Sequence, residues 1–215
     1  MSGIKDPHSY RIKLREEELN LFKKENVQKM LEVFCGKGEN LIALEQLGFK
    51  VEGIESVKVY VNKAKEAINK ENMDISVMHH PVFDSQMPYD NESFDCVYSY
   101  QYLNHNFKDA ILNTFKDIYR ILKKDGIFSI TITDIEQFNL KHVEGMIYEE
   151  CDPEFPQIRY RKFAEQTYAK LEGDEMWIPH YGFYEKELVE ELEKIGFKLI
   201  NIRKIKWNLI ANFRK

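Results

Sequence analysis

The sequence predicts an α/β fold: a doubly wound, mostly parallel seven-stranded sheet that ends in an antiparallel C-terminal hairpin, with helices on both faces. Between residues 30 and 133, short apolar runs typical of strands alternate with segments typical of helices. Parallel strands need crossover connections, and the intervening helices then cover both faces of the sheet. After a helix near 184–195, strand-like runs at 197–205 and 207–213 lie almost end to end, which predicts the hairpin.

The other elements follow in chain order from the same periodicities. Apolar residues spaced among charges over 11–25 predict an amphipathic helix ahead of the first strand at 30–34. The elements that come next are predicted as a helix near 39–47, a strand at 50–55, a helix near 57–70, strands at 74–79 and 94–100, a helix near 108–123 and a strand at 127–133.

Length, charge and cysteine content restrict the class of protein. The 215 residues suit a single domain, 1–215, with a sizeable core. The formal net charge of −5 lacks the basic excess of a protein that neutralises nucleic-acid phosphates, so we expect no nucleic-acid partner. Cys35, Cys96 and Cys151 lie far apart without a CxxC pair, which argues against a disulfide framework and a metal site and favours a reducing cytoplasm.

Neither secretion nor a membrane span is expected. The N-terminal sequence MSGIKDPHSY has no apolar core of signal-peptide length, and no run of about 18 apolar residues occurs in the chain. The sequence makes no prediction of oligomeric state.

The stretch MLEVFCGKGENL, residues 30–41, joins the first strand to the next helix through a glycine-containing loop. In an open α/β sheet, ligands bind at the carboxyl ends of the strands, where this loop is expected to lie. Gly36 and Gly38 allow a tight turn and the close approach of a ligand to the backbone. The dinucleotide fingerprint would place a third glycine at Leu41, so its absence makes a pyrophosphate ligand such as NAD the second choice.

Two acidic residues point to a different cofactor. Glu55 ends the second strand, where a carboxylate can accept hydrogen bonds from both hydroxyls of a ribose. Glu32 lies inside the first strand, where a buried carboxylate is costly unless it meets a donor or a cation such as a ligand ammonium group. A ribose and an ammonium without a pyrophosphate together suggest S-adenosylmethionine (S-adenosyl-L-methionine).

Four motifs in order resemble those of class I S-adenosylmethionine-dependent methyltransferases: LEVFCGKG, GIE at 53–55, MPYDNESFDCV at 87–97 and IYRILKKDGIFSI at 118–130. The resemblance extends to the C-terminal hairpin, since the sheet of that family also ends in an antiparallel strand. It implies that Glu32 and the backbone of Cys35, Gly36 and Gly38 hold the methionine end of the cofactor and that Glu55 holds the ribose.

The adenine contact is open between two neighbouring residues. The family usually has an acidic residue after the third strand, and Asp84 is the nearest candidate. Counting back from Met87 without a gap places Phe83 there instead, where its ring would stack on the base. The chain also departs from the family at Phe34, where the first glycine of the loop is common, and at 124–126, where Lys-Asp-Gly replaces Pro-Gly-Gly.

Residues after the fourth strand are expected to surround the transferred methyl group. The stretch YSYQYLNHNF contains Tyr100, Tyr102 and His105, and His105 is the first choice for a catalytic role, with packing or substrate positioning as the alternative. His180, just before the last helix, is a second candidate, and capping or packing competes with substrate contact there.

Two segments are expected to enclose the site. Residues 134–184 form an insert within the domain, interpreted as a substrate cap, with eleven Asp and Glu against five Lys and Arg, and ten aromatic residues. That composition is typical of an exposed acidic face over an aromatic core, and less so of a pocket for a cationic amine. Residues 1–28, with their helix, are interpreted as a lid over the cofactor, or alternatively as a cover for the sheet edge.

The sequence therefore predicts an enzyme that methylates an oxygen or nitrogen atom of a small molecule. One alternative is a protein or peptide methyltransferase whose acidic insert docks a basic partner. Another is a non-catalytic S-adenosylmethionine-binding module with a regulatory role.

Overall fold

The computed structural model describes residues 15–136, 140–143, 146–149, 159–171 and 176–215. Its five helices are α1 Glu16–Lys24, α2 Glu39–Gln46, α3 Lys58–Lys70, α4 Lys108–Ile121 and α5 Glu185–Ile195. Its strands are β1 Lys29–Val33, β2 Lys50–Glu55, β3 Ser76–His79, β4 Phe94–Tyr100, β5 Leu122–Thr133, β6 Leu140–Val143, β7 Met146–Glu149, β8 Arg159–Ala164, β9 Thr167–Lys170, β10 Pro179–Tyr181, β11 Lys198–Ile205 and β12 Asn208–Arg214.

The main sheet has seven strands in the order β11-β12-β5-β4-β1-β2-β3. All its neighbours pair in parallel except β12, which runs antiparallel to both β5 and β11. The predicted sheet and its C-terminal hairpin are confirmed. The helix predicted over 108–123 ends two residues early, because Leu122 already pairs with Phe94 at the start of β5.

The two faces of this sheet bury separate clusters of apolar side chains. On β1, Leu31 and Val33 pack with residues of α4 and α5 on one face, while Met30 packs with residues of α1, α2 and α3 on the other. This alternation follows from the two-residue period of a strand. Helices therefore cover both faces, as predicted. Within the ranges given above, no helix is long and apolar enough to cross a membrane.

The insert 134–184 contains a second sheet that the sequence did not predict. Strands β10-β9-β8-β7-β6 pair antiparallel in that order. The insert begins and ends at the carboxyl end of β5, since the Phe183 N–H donates to Thr133 O and the Ile135 N–H to Phe183 O, both at 3.0 Å. The second sheet is thus attached at the edge where ligands bind in α/β sheets.

Glu187 on α5 joins the insert to the helices of the main sheet. Its carboxylate accepts hydrogen bonds from Tyr181 Oη at 2.6 Å, Gln166 Nε2 at 2.6 Å and Lys108 Nζ at 2.7 Å. Burial alone would raise the pKa of Glu187, but these three donors lower it below its ordinary value. The stabilisation is therefore present above the ordinary pKa and is lost as the pH falls through the lowered one.

Substitution of Glu187 by alanine is expected to lower the free energy of unfolding by about 1–3 kcal/mol, because Tyr181 and Gln166 lose a shared acceptor. Glu190→Ala is the matched control. Glu190 lies on the same helix, is half exposed and forms a long, exposed ion pair with Lys186 at 3.6 Å. Urea unfolding at pH 7 measures both variants. Equal effects of the two substitutions would contradict the role given to Glu187.

Candidate functional site

The loop at 34–38 turns at the carboxyl end of β1 and leads into α2. Gly36 and Gly38 have φ values of +57° and +78°, the left-handed region that glycine adopts without strain. A Cβ on Gly38 would also lie 3.1 Å from the Cβ of Ala64 on α3. The backbone therefore favours glycine at both predicted positions, and Gly38 also allows α2 and α3 to pack closely.

Glu32 and Asn40 meet beside this loop. Glu32, on β1, is 3% exposed, and its Oε1 accepts a hydrogen bond from Asn40 Nδ2 at 2.6 Å. Asn40 lies in the first turn of α2 and is itself buried. Asn40 was not predicted as a site residue, although a polar residue among the apolar ones that follow the loop is a usable signal in the sequence. The pair forms a buried acidic group that suits a cationic ligand.

Glu55 lies at the end of β2, as predicted, and its carboxylate contacts the loop. Oε2 accepts from the Gly36 N–H at 2.9 Å and Oε1 from the Val57 N–H at 2.8 Å. Burial raises the pKa of Glu55 above its ordinary value, and the two backbone donors offset part of that shift. Glu55 is thus held within reach of the loop and is 2% exposed.

The electrostatic character of the loop is visible at Cys35. Burial raises the pKa of its thiol well above the ordinary value, and the charges of Glu32 and Glu55 raise it further. Both carboxylates therefore impose a negative potential on the same loop. A pyrophosphate would be repelled there, whereas a ligand with ammonium and sulfonium groups would be attracted.

A cavity of about 280 Å³ opens beside the loop. Five of its lining residues were predicted as site residues: Glu32, Cys35, Gly36, Tyr100 and Tyr102. Five were not predicted as site residues: Phe34, Lys37, Glu39, Asn40 and Tyr60. Tyr60 reaches the cavity from the first turn of α3, and no local pattern in the sequence signals this.

Phe83 and Asp84 both line a cavity over α4, and they differ in the contacts of their side chains. The Phe83 ring packs on the Phe34 ring with centroids 4.9 Å apart, and Phe34 lines the cavity beside the loop. Asp84 is exposed. The geometry brings Phe83, rather than Asp84, towards the other candidate residues.

A row of rings leads from the loop to the insert. Tyr102 lies 6.3 Å from Phe34, His105 lies 4.8 Å from Tyr102, and His180 lies 4.3 Å from His105, all between ring centroids. His180 Nδ1 is 2.8 Å from Ile178 O. Because a carbonyl only accepts, Nδ1 carries a hydrogen and the neutral ring has its lone pair on Nε2. The ring distances show that the three predicted catalytic candidates, Tyr102, His105 and His180, are adjacent.

Phe34 has a φ of +61°, an unusual value for an aromatic residue. The ring is buried between Phe83 and Tyr102, and these contacts offset the strain. The departure from the glycine of related loops thus adds an aromatic wall to the cavity.

Substitution of Phe34 by glycine is expected to leave a more stable protein than substitution by alanine, by about 1 kcal/mol, because only alanine keeps the left-handed strain. Both variants lose the ring, so the comparison isolates the backbone. Urea unfolding of the two variants measures the difference. A more stable alanine variant, the usual order elsewhere in proteins, would show that the backbone at residue 34 is not strained.

No three His, Cys, Asp or Glu side chains are grouped to hold a metal ion in the parts of the chain that the structure describes. The loop and its two carboxylates suit S-adenosylmethionine by charge and by the absence of a third glycine.

Comparisons with known proteins agree with this geometry. Residues 30–126 match the family model described as a methyltransferase domain. An uncharacterised protein of Methanocaldococcus jannaschii is 25% identical, over 92% of this chain and 77% of its own length. The S-adenosyl-L-methionine-dependent Diels-Alderase of Talaromyces variabilis is 26% identical over 86% of this chain, which spans 58% of that relative.

A solved structure has the same fold. The Burkholderia thailandensis 1,6-didemethyltoxoflavin-N1-methyltransferase, with bound 1,6-didemethyltoxoflavin and S-adenosylhomocysteine, has a TM-score of 0.65 at 19% identity, covering 98% of this chain and 79% of that one. Residues 30–126, a little under half of the chain, thus match a methyltransferase domain, and the seven-stranded sheet has the fold of S-adenosylmethionine-dependent methyltransferases.

Proposed function

We propose that this enzyme transfers the methyl group to an oxygen or nitrogen atom of a small molecule. The use of S-adenosylmethionine is supported by the buried Glu32 carboxylate, which accepts a hydrogen bond from Asn40 and lines the cavity beside the loop. When bound, S-adenosylmethionine supplies an electrophilic methyl group on sulfur, so the protein has to align the acceptor and exclude water.

The cofactor-binding roles follow from position and charge. Glu32 and the backbone of Cys35, Gly36 and Gly38 hold the methionine end. Glu55 accepts hydrogen bonds from the ribose, in exchange for one of its bonds to the backbone of the loop. The Phe83 ring stacks on adenine, since it lies against Phe34, a lining residue of the cavity beside the loop.

The acceptor lies among Tyr100, Tyr102, His105 and His180. His105 lies in the loop between β4 and α4, and His180 lies in the insert. An imidazole in this position can take the proton that a hydroxyl or protonated amine acceptor loses. The Burkholderia methyltransferase named above binds a small molecule, which supports a similar class of acceptor here.

The insert and the N-terminal segment enclose the site in this proposal. The insert 134–184 acts as a substrate cap within a single domain, and residues 1–28, of which 1–14 lie outside the described residues, act as a lid. Burial raises the pKa of Tyr100 and the charge of Arg15 partly offsets that shift, so the start of α1 lies near the cavity. Protection of residues 15–28 from protease on adding S-adenosylmethionine would support the lid, and unchanged cleavage would oppose it.

The enzyme works in a reducing compartment, which we take to be the cytoplasm. Cys35 and Cys96 are buried free thiols, and no disulfide is needed to complete the core around them. Fractionation of cells that contain the native protein, with detection of the protein in the cytoplasmic and other fractions, would test the location.

Release of S-adenosylhomocysteine tests the proposed reaction. The purified protein is incubated with S-adenosylmethionine and a panel of hydroxyl- and amine-bearing small molecules, with basic peptides as a second panel. Small-molecule turnover that falls in His105→Asn while cofactor binding persists is the expected result. Turnover of the peptides alone would favour a protein methyltransferase.

A second candidate is catalysis or regulation without methyl transfer. The Talaromyces relative is named as a Diels-Alderase that depends on S-adenosyl-L-methionine, so this cofactor does not by itself imply methyl transfer in a relative. Tight cofactor binding without any S-adenosylhomocysteine release on either panel would favour this candidate.

A further inference from the structure

Three buried polar side chains lie side by side on the main sheet, on the face covered by α1. Tyr98 on β4 is the register partner of Ser129 on β5, and Ser129 is the partner of Asn212 on β12. Each of the three residues is 1% exposed. Among the residues that the structure describes, Tyr98 Oη, Ser129 Oγ and Asn212 Oδ1 have no hydrogen-bond partner. We call these residues the polar strip.

The polar strip begins at the candidate site. Tyr98 is also the register partner of Glu32 on β1, and paired residues on neighbouring strands point to the same face. Burial raises the pKa of Tyr98 well above its ordinary value, and the charges of Glu32 and Glu18 raise it further. The Tyr98 side chain therefore lies near two buried carboxylates, one of which lines the cavity.

The other end of the polar strip lies beneath α1. Glu18 is 2% exposed, and its carboxylate accepts from Arg203 Nη2 at 2.6 Å and from Asn212 Nδ2 at 3.4 Å. Phe22, one turn further along α1, is buried over the same face of the sheet. Helix α1, which carries the buried Glu18, thus covers this end of the polar strip.

Such an arrangement is unfavourable without further partners. Buried hydroxyl and amide oxygens are nearly always hydrogen-bonded, and the groups that lack a protein partner are usually satisfied by ordered water. A hydroxyl can donate to one acceptor and accept from another, so water between Tyr98 and Ser129 can link both of them to a neighbouring carboxylate.

We propose that Tyr98 is a positioning residue for cofactor binding: through ordered water shared with Ser129, its hydroxyl donates to the Glu32 carboxylate and holds it towards the cavity. The inference rests on the proposed role of Glu32 in binding the amino group of S-adenosylmethionine. It predicts that the strip affects only ligands that carry this amino group.

Tyr98→Phe tests the proposal with two ligands that differ at one end. S-adenosylhomocysteine carries the amino acid group, whereas 5′-methylthioadenosine keeps the nucleoside and thioether but lacks that group. Calorimetric titration is expected to show about tenfold weaker binding of S-adenosylhomocysteine to the variant, the size of one hydrogen bond to a charged group. Binding of 5′-methylthioadenosine should stay within about twofold of the wild type.

Two controls separate positioning from a general loss of structure. Tyr119→Phe removes a phenol hydroxyl on α4, against Phe197 on the opposite face, and should change neither affinity. Ser129→Ala is a second strip variant, expected to act in the same ligand-selective way but more weakly. It provides the test if Tyr98→Phe does not fold, as judged by circular dichroism.

The remaining outcomes contradict the proposal in distinguishable ways. An equal loss of affinity for both ligands would mean that Tyr98 supports the fold rather than Glu32. Unchanged affinity for both would mean that the strip has no role in binding. If the wild type bound both ligands and Glu32→Gln bound S-adenosylhomocysteine as tightly as the wild type, the proposed role of Glu32 itself would be wrong. Binding of neither ligand to the wild type would overturn the proposed function and this inference with it.

Discussion

Glu32→Gln is expected to weaken binding of S-adenosylmethionine by about 100-fold, because removal of one partner from a buried charge pair costs about 3 kcal/mol. The Glu32 carboxylate is 3% exposed, so little solvent screens its attraction for a ligand ammonium group. Glutamine keeps the size of the side chain and an oxygen that can accept from Asn40 Nδ2. Calorimetric titration at pH 7 measures the affinity.

The same variant is expected to be at least as stable as the wild type without ligand. Burying a carboxylate costs free energy, and the amide removes that cost while preserving the shape of the site. Glu39→Gln is the matched control, since Glu39 lines the same cavity but is exposed. It should lose no more than about threefold in affinity, because exposed charges interact weakly. Equal losses in the two variants would contradict a specific role for Glu32.

Binding of S-adenosylmethionine is expected to weaken as the pH falls from 7, through the raised pKa of Glu55. Only the ionised carboxylate has both oxygens free to accept from ribose hydroxyls, and each hydrogen bond to a charged group contributes about 1.5–3 kcal/mol. Glu55→Gln should therefore bind about 10- to 100-fold more weakly at pH 7 and lose this pH dependence. Titrations at a series of pH values compare the two proteins.

The unliganded protein should show the opposite trend in stability. Because burial raises the pKa of Glu55 in the folded state, its contribution to stability is fully present below the ordinary pKa of 4.5 and is lost as the pH rises through the raised value. Glu55→Gln should consequently gain stability relative to the wild type over that interval. A constant difference across the interval would show that Glu55 does not titrate as proposed.

Local sequence patterns were enough to predict those parts of the site that lie close together in the chain. The first strand, the two glycines and the acidic residues at 32 and 55 all lie within a few residues of a recognisable boundary. The seven strands were predicted for the same reason, since each carries a clear apolar run. Asn40 could have been added, because it is a polar residue in an apolar turn.

Other features depend on contacts that no local pattern records. The strands of the insert, such as RYRKFA at β8, carry charged residues and resemble exposed loops, so they were read only as a cap. The left-handed backbone of Phe34 is invisible in the sequence, because its ring contacts come from Phe83 and Tyr102. The polar strip arises from the register of three strands that are distant in the chain.

Calorimetric titration of the wild-type protein with S-adenosylmethionine, and with NADH as a control ligand, tests the central claim most directly. The acidic loop predicts one binding site for S-adenosylmethionine and no binding of NADH, whose pyrophosphate would meet the charges of Glu32 and Glu55. Binding of NADH with no binding of S-adenosylmethionine would contradict this account of the loop and of the reaction that it supports.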